Sequence, residues 1–205
     1  MNVSRPELRA RARAKLGGQI FATNWLFALL AIVIVSAILS AISFTGIGPL
    51  LLIGPLSFGL AAIFLSLARG KEKVDLADLF KGFTDGGFVR LLLLGLMEEI
   101  FIFLWSLLFV IPGIVKSYSY SQAIFLAYDH PDWDWQKCID ESRRIMDGNK
   151  MKLFVLDLSF IGWYIVGMLA CGIGVLWVDP YRQAARAEFY QELVGGVVVE
   201  DKQEA

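Results

Sequence analysis

With 205 residues, 57% of them hydrophobic and 19% charged, and a mean hydropathy of +0.59, the chain is too apolar for an ordinary soluble domain. Its apolar residues fall in long blocks, the pattern of a membrane protein with several crossings. A formal net charge of −1 gives no ground for a nucleic-acid or acidic partner.

The predicted fold is all-α, a polytopic transmembrane bundle with short amphipathic cytoplasmic helices. About six spans are expected, at 20–43, 49–68, 88–111, 114–128, 153–170 and 175–193, paired as three helical hairpins. Residues 1–18 read as a cationic amphipathic helix, 19–193 as one bundle domain and 194–205 as an acidic, disordered tail.

Ser4 and Glu7 have the spacing of a capping box, and Arg9, Arg11, Arg13 and Lys15 follow on the helix they would open. A cleaved signal peptide is the obvious alternative. The apolar run from Ile20 to Phe44 is too long for one, so it reads as an uncleaved first span. Ser36 with Ser40, and Ala37 with Ala41, offer that span a small-residue packing face. After a turn at 45–49, span two carries Gly54-Pro55, readable as a kink or as a re-entrant feature. In the loop 69–87, Asp75 can cap a short helix with Leu76, Leu79, Phe80 and Phe83 on one face. That face suits the membrane surface or the underside of the bundle.

Span three carries Glu98 and Glu99 near its middle, and Pro112-Gly113 is the expected turn. Span four is short and polar, with Lys116, Tyr118, Tyr120 and Gln122, so it should be buried or line a cavity. His130 belongs to the following turn. Asp134 caps a helix presenting Trp135, Cys138, Ile139, Ser142 and Met146 on one face and ending near Gly148. Trp133 and Trp135 are placed as interfacial aromatics or as packing residues. From Leu153 to Val178 the chain is apolar, as one long tilted helix or, preferably, a hairpin turning at 171–174. Its second arm carries Asp179, Arg182, Arg186 and Glu188 and must face protein.

Lys and Arg cluster in the N-terminal helix, around 69–90 and around 137–152, whereas the turns 45–49, 112–113 and 171–174 have none. The basic loops and both termini are therefore expected to be cytoplasmic. That topology keeps Cys138 and Cys171 on opposite faces, so both read as unpaired, small apolar residues.

PGI at 112–114, KSYSYSQAIFLAYDHP at 116–131, ESRRIMDGNK at 141–150, FIGW at 160–163 and DPYRQAARAEFY at 179–190 form a recognisable set. With RAKLGG at 13–18, GPLSFGL at 54–60 and DLFKGF at 78–83, they cover nearly the whole chain. The sequence thereby resembles the bacterial integral membrane proteins grouped as domain of unknown function 975. The resemblance implies a multi-pass protein of the bacterial cytoplasmic (inner) membrane and no particular activity. Asp179 departs from the pattern, which expects an aromatic or apolar residue there.

No nucleophile elbow, metal-ligand pair, phosphate-binding glycine loop or intramembrane protease pair is present, so neither enzyme activity nor a cofactor is expected. The candidate polar core is Glu98, Glu99, Lys116, Tyr118, Tyr120, Gln122, Asp157, Arg182 and Arg186. Adjacent helical residues diverge by about 100°, so Glu98 and Glu99 cannot share one substrate atom. Counting residues from each turn predicts an Asp157–Arg186 pair and sets Arg182 against one of the glutamates. Such groups serve either as internal salt bridges that fix which helix packs on which, or as the lining of a cavity. A membrane-embedded binding or transport-like module with its site among spans three to six follows from the second use. The alternative is a scaffold acting through its cytoplasmic amphipathic helices. The partners expected are the bilayer, a small solute or lipid ligand, and a protein at the cytoplasmic face.

Overall fold

The computed structural model describes residues 3–19, 21–84, 87–169 and 173–203, with side chains as far as Gly195. Among the described residues the elements are helical, and no strand forms. Segments Thr23–Thr45, Gly48–Ala68, Phe88–Leu108 and Lys150–Leu169 are long and apolar enough to cross a membrane. Where the sequence suggested one bundle domain, the chain forms two compact units. One comprises Met1–Ile32, Ile63–Asp75 and Met151–Ala205, the other Val33–Ala62 and Leu76–Lys150.

Helices α1 (Arg5–Lys15), α9 (Lys150–Leu158), α10 (Ile161–Leu169) and α11 (Ile173–Gln203) belong mainly to the first unit. The spacing of Leu8, Ala12 and Leu16 makes one stripe of α1, and that stripe is buried. Arg11 fixes the helix to α11 through Glu192 at 2.5 Å and also bonds Glu7 at 2.8 Å. The expected capping box does not form: Ser4 makes no side-chain cap, because Glu7 is drawn to Arg11 four residues on. Helix α10 runs antiparallel to α11, as paired contacts Phe160 with Tyr181 and Tyr164 with Asp179 require. A Cβ at Gly167 would lie 2.7 Å from the Gly174 carbonyl carbon, so only glycine permits the approach beside the turn. The turn itself, with Cys171, lies outside the described residues. The tail expected to be disordered is instead helical, since α11 continues to Gln203.

In α2 (Thr23–Ile42), Ala28, Ala31 and Val35 are buried, while Ser36, Ala37, Ser40 and Ala41 are exposed. The packing face is therefore one turn earlier and rotated from the small-residue pairs. Packing selected shape and position rather than residue size alone.

The second unit is built on α3 (Gly48–Ala68), α4 (Lys81–Thr84) and α5 (Phe88–Leu108). Helix α3 passes through Pro55 without a break, so Gly54-Pro55 is not a re-entrant feature. Its purpose is contact: a Cβ at Gly54 would meet the Leu91 carbonyl oxygen at 2.0 Å. The loop helix doubles back on the same face. A Cβ at Gly59 would lie 1.9 Å from the Leu79 carbonyl oxygen, and one at Gly82 would lie 2.2 Å from that of Pro55. Leu79 is thus packed on the bundle, but Phe80 and Phe83 turn outward and continue in an aromatic row to Phe88.

Helix α5 ends at Leu108, and Phe109 adopts an extended φ of −160° and ψ of 147° before α6 (Val110–Tyr120). The expected turn at Pro112-Gly113 is therefore displaced. Pro112 sits in the first turn of α6, where its missing N–H leaves no helical bond unmade. The predicted fourth span is divided again between α6 and α7 (Ala123–Asp129). Ser142 of α8 (Trp135–Ile145) bridges the break, accepting from the Gln122 N–H at 3.2 Å and donating to the Ser119 carbonyl at 2.8 Å.

Asp134 caps α8 as expected, accepting from the Lys137 N–H at 2.8 Å. Cys138, Ile139, Ser142, Ile145 and Met146 are buried. Trp133 stacks on His130 at 3.8 Å, a packing role. Arg90 donates to the carbonyls of Ala127, His130 and Trp133 at 3.1, 3.0 and 2.8 Å, tying the end of α7 to the start of α5. Burial pushes the Cys138 thiol up to about 11, so it stays protonated at neutral and mildly alkaline pH. Maleimide is expected to leave Cys138 unmodified in the folded protein at pH 8 and to modify it after denaturation. Rapid labelling of the peptide that contains it, without unfolding, would contradict its burial.

Candidate functional site

The residues expected to form the polar core are divided between the two units, and each unit holds its own network. In the first, Arg186 grips Asp157 with two hydrogen bonds of 3.0 and 2.5 Å, the predicted pair. The antiparallel register of α10 and α11 carries the same arrangement upward. Tyr164 donates a short hydrogen bond to Asp179, and Arg182 lies 3.9 Å from that carboxylate and 6.0 Å over the Tyr164 ring. Within its own unit Arg182 is met by an acid three residues before it on the same helix face. The same contacts account for Asp179 itself, whose charge is met by a hydroxyl and a guanidinium.

In the second unit, Glu98 is half-buried and its Oε1 is enclosed without a hydrogen-bond partner, while Glu99 is exposed. The two acids diverge, as their adjacency on a helix dictates. Lys116 lies 4.6 Å over the Trp105 ring, and Tyr120 packs against Phe101 at 6.2 Å. Tyr118 is half-buried. Gln122 is buried, its amide nitrogen bonded to Ser121 at 2.9 Å. A cleft of 370 Å³ opens here between Trp105, Lys116, Trp135 and Arg143.

The larger cleft, 590 Å³, is in the first unit and draws on residues outside the expected core. One end carries Arg9 and Arg13, four residues apart and so on one face of α1. Arg9 lies 5.2 Å over Phe160 and 5.8 Å over Tyr181, and its Nε is buried without a hydrogen-bond partner. Arg13 uses its Nε on the Gly18 carbonyl at 3.2 Å. The walls are Trp25, Trp163, Trp177 and Tyr181, and the far end is Val166 with the Gly167–Gly174 contact. Trp25 is held by its indole N–H, which donates to the Trp177 carbonyl at 3.1 Å, and by Tyr181 at 5.7 Å. An aromatic cleft of this volume with a cationic end has the character of a small-molecule site.

Sequence reading passed over these side chains because they come from segments remote in the chain, Arg9 and Trp177 among them. The usable signal was the i, i+4 pair of arginines together with the tryptophans at 25, 163 and 177. Among the described residues no group of three or more His, Cys, Asp or Glu is placed to hold a metal ion.

No curated protein and no solved structure matches the chain. A family model described as "Protein of unknown function (DUF975)" matches residues 1–116 and 107–195. The match spans nearly the whole sequence, and the chain belongs to that family.

Proposed function

We propose that the chain is a membrane-embedded binding or transport-like module of the bacterial inner membrane, and that its ligand occupies the cleft at Arg9, Trp25 and Trp177. The observation carrying this reading is the cleft: 590 Å³, walled by aromatic rings, with Arg9 and Arg13 of α1 in its lining. Elsewhere in the first unit Asp157 pairs with Arg186 and Asp179 with Tyr164 and Arg182, while Arg182 Nε, Glu188 Oε1 and Gln191 Nε2 are buried without a hydrogen-bond partner, as Arg9 Nε is. Of these four side chains only Arg9 lines the cleft. Of the two loop helices the scaffold alternative needs, α8 has its apolar face buried within its own unit, which leaves only exposed Phe80 and Phe83 to serve it.

In this reading both termini and the basic loops are in the cytoplasm, and α10 with α11 is not counted as a pair of crossings, because the Trp25–Trp177 hydrogen bond puts the cytoplasmic entry of α2 and the start of α11 at one depth. Helices α6 and α7 together run from Val110 to Asp129, about 30 Å at 1.5 Å per residue, which suits a broken crossing. The arrangement makes a demand on α8, which packs along these helices with Lys137, Asp140, Arg143 and Arg144 exposed. That side must face water or another protein, since hydrocarbon would not accept it.

Two measurements test the proposal. Protein extracted in mild detergent and examined by native mass spectrometry should carry a stoichiometric small molecule or lipid, lost when V166W fills the cleft. Wild type that is bare under adduct-preserving conditions sinks the binding reading. A reporter fused after Leu193 should behave as cytoplasmic; an external C-terminus overturns that orientation.

A further inference from the structure

Resting on that reading of the cleft, we infer the chemical class of its ligand: an amphiphile with an anionic, phosphate-type headgroup, bound head to Arg9 and Arg13 and tail toward Val166. The polarity of the cleft runs along its length. Both arginines lie at one end, on α1, and no carboxylate lines the cleft with them. Beyond them the lining is Trp25, Trp163 and Trp177, and then Val166 beside the glycine contact. From the level of Phe160 to that of Gly167 is about 10 Å at 1.5 Å per residue, room for part of an acyl chain.

Each alternative class leaves one end unmatched. A free inorganic anion would satisfy the arginines and leave the aromatic walls wet. A neutral lipid would cover the walls and leave the two guanidinium charges in the lining without a counter-charge. A cation would meet the arginines at short range. An anionic amphiphile meets both ends at once, with guanidinium groups that form paired hydrogen bonds to phosphate oxygens. Val166 is 59% and Trp163 51% exposed, so the cleft is open beside them, which gives a chain a way in.

The test is a titration of the delipidated full chain in detergent with phosphatidylglycerol and with phosphatidylcholine of the same acyl chains, read by native mass spectrometry. Wild type should bind the anionic lipid at least about tenfold more tightly, a difference of roughly 1.4 kcal/mol. R9Q/R13Q should erase that preference and R9K/R13K should keep much of it. V166W should weaken both lipids without touching the charges, and excess inorganic phosphate should not displace the bound lipid. Equal affinity for the two lipids, an unchanged preference in R9Q/R13Q, or displacement by phosphate alone overturns the assignment. The two levels of the argument fail differently. If V166W expels a co-purified molecule that is not anionic, the ligand class is wrong and the site stands. If V166W alters no binding at all, both fall. Should R9Q/R13Q not fold, the lipid preference of wild type and the response of V166W still decide.

Discussion

Replacing Asp157 by Asn should destabilise the protein by roughly 3 kcal/mol, near the lower end of what breaking a buried ion pair costs. The pair has good geometry, two hydrogen bonds of 3.0 and 2.5 Å between planar groups. The Asp157 side chain is 12% exposed and that of Arg186 26%, so a stranded arginine recovers only part of its hydration. The pair also sits where α9 and α11 must stay in register, so its loss loosens two helices. Denaturation in mild micelles, followed by tryptophan fluorescence, measures the loss. The swapped double variant D157R/R186D should recover about half of it. Replacing both partners by Leu and Met should be nearly neutral, because a buried pair contributes more to specificity than to stability. A swap that recovers nothing would remove the pairing from the account, and a harmless D157N would remove its burial.

The second large effect belongs to the crossing of α3 and α5. Alanine at Gly54 would place its methyl carbon 2.0 Å from the Leu91 carbonyl oxygen, and alanine at Gly95 would come within 2.6 Å of the Gly54 Cα. Both obstacles are backbone, so the helices must separate by more than about 1 Å, and overpacking of this kind typically costs 1–3 kcal/mol. The separation would also unseat Phe58, Leu91 and Leu94, which share one core cluster. G54A and G95A should each lower the melting temperature and the yield of monodisperse protein. Gly162 supplies the control: a methyl group there meets nothing within 4 Å. G162A should be neutral or stabilising by up to about 1 kcal/mol, from helix propensity alone. If G54A melts where G162A does, the close crossing is not real.

The sequence made the Asp157–Arg186 pair readable because a tight turn with antiparallel arms converts residue counts into depth. Asp134 and the buried face of α8 were readable for a similarly local reason, a cap followed by helical spacing. Other features depended on partners that no local pattern names. Pro112 looks like a turn residue, yet it is equally at home in the first turn of a helix, and the packing of Gly113 on Ser106 moves the bend to Phe109. Arg182 was assigned across the bundle, and the neighbour it has on its own helix, Asp179, was passed over. The cleft was the least legible feature. Each tryptophan taken alone reads as an interfacial residue, and only the antiparallel packing of α10 on α11, with α1 alongside, gathers them.

The first unit takes its opening helix from the start of the chain and that helix's partner from near the other end, so Arg11 meets Glu192 across 181 residues. The second unit has all its residues once Lys150 has been made. Synthesis therefore sets a schedule: the second unit can settle while α1 is still waiting for α11. Contacts so distant in sequence form late and slowly, because the loop between them must be closed before it is rewarded. Until Glu192 emerges, a cationic helix with an apolar stripe stands without its counterpart. Closure of the first unit is thus a physical record that translation has passed that point, and a chain stopped short of it keeps α1 exposed as a place for proteolysis to begin.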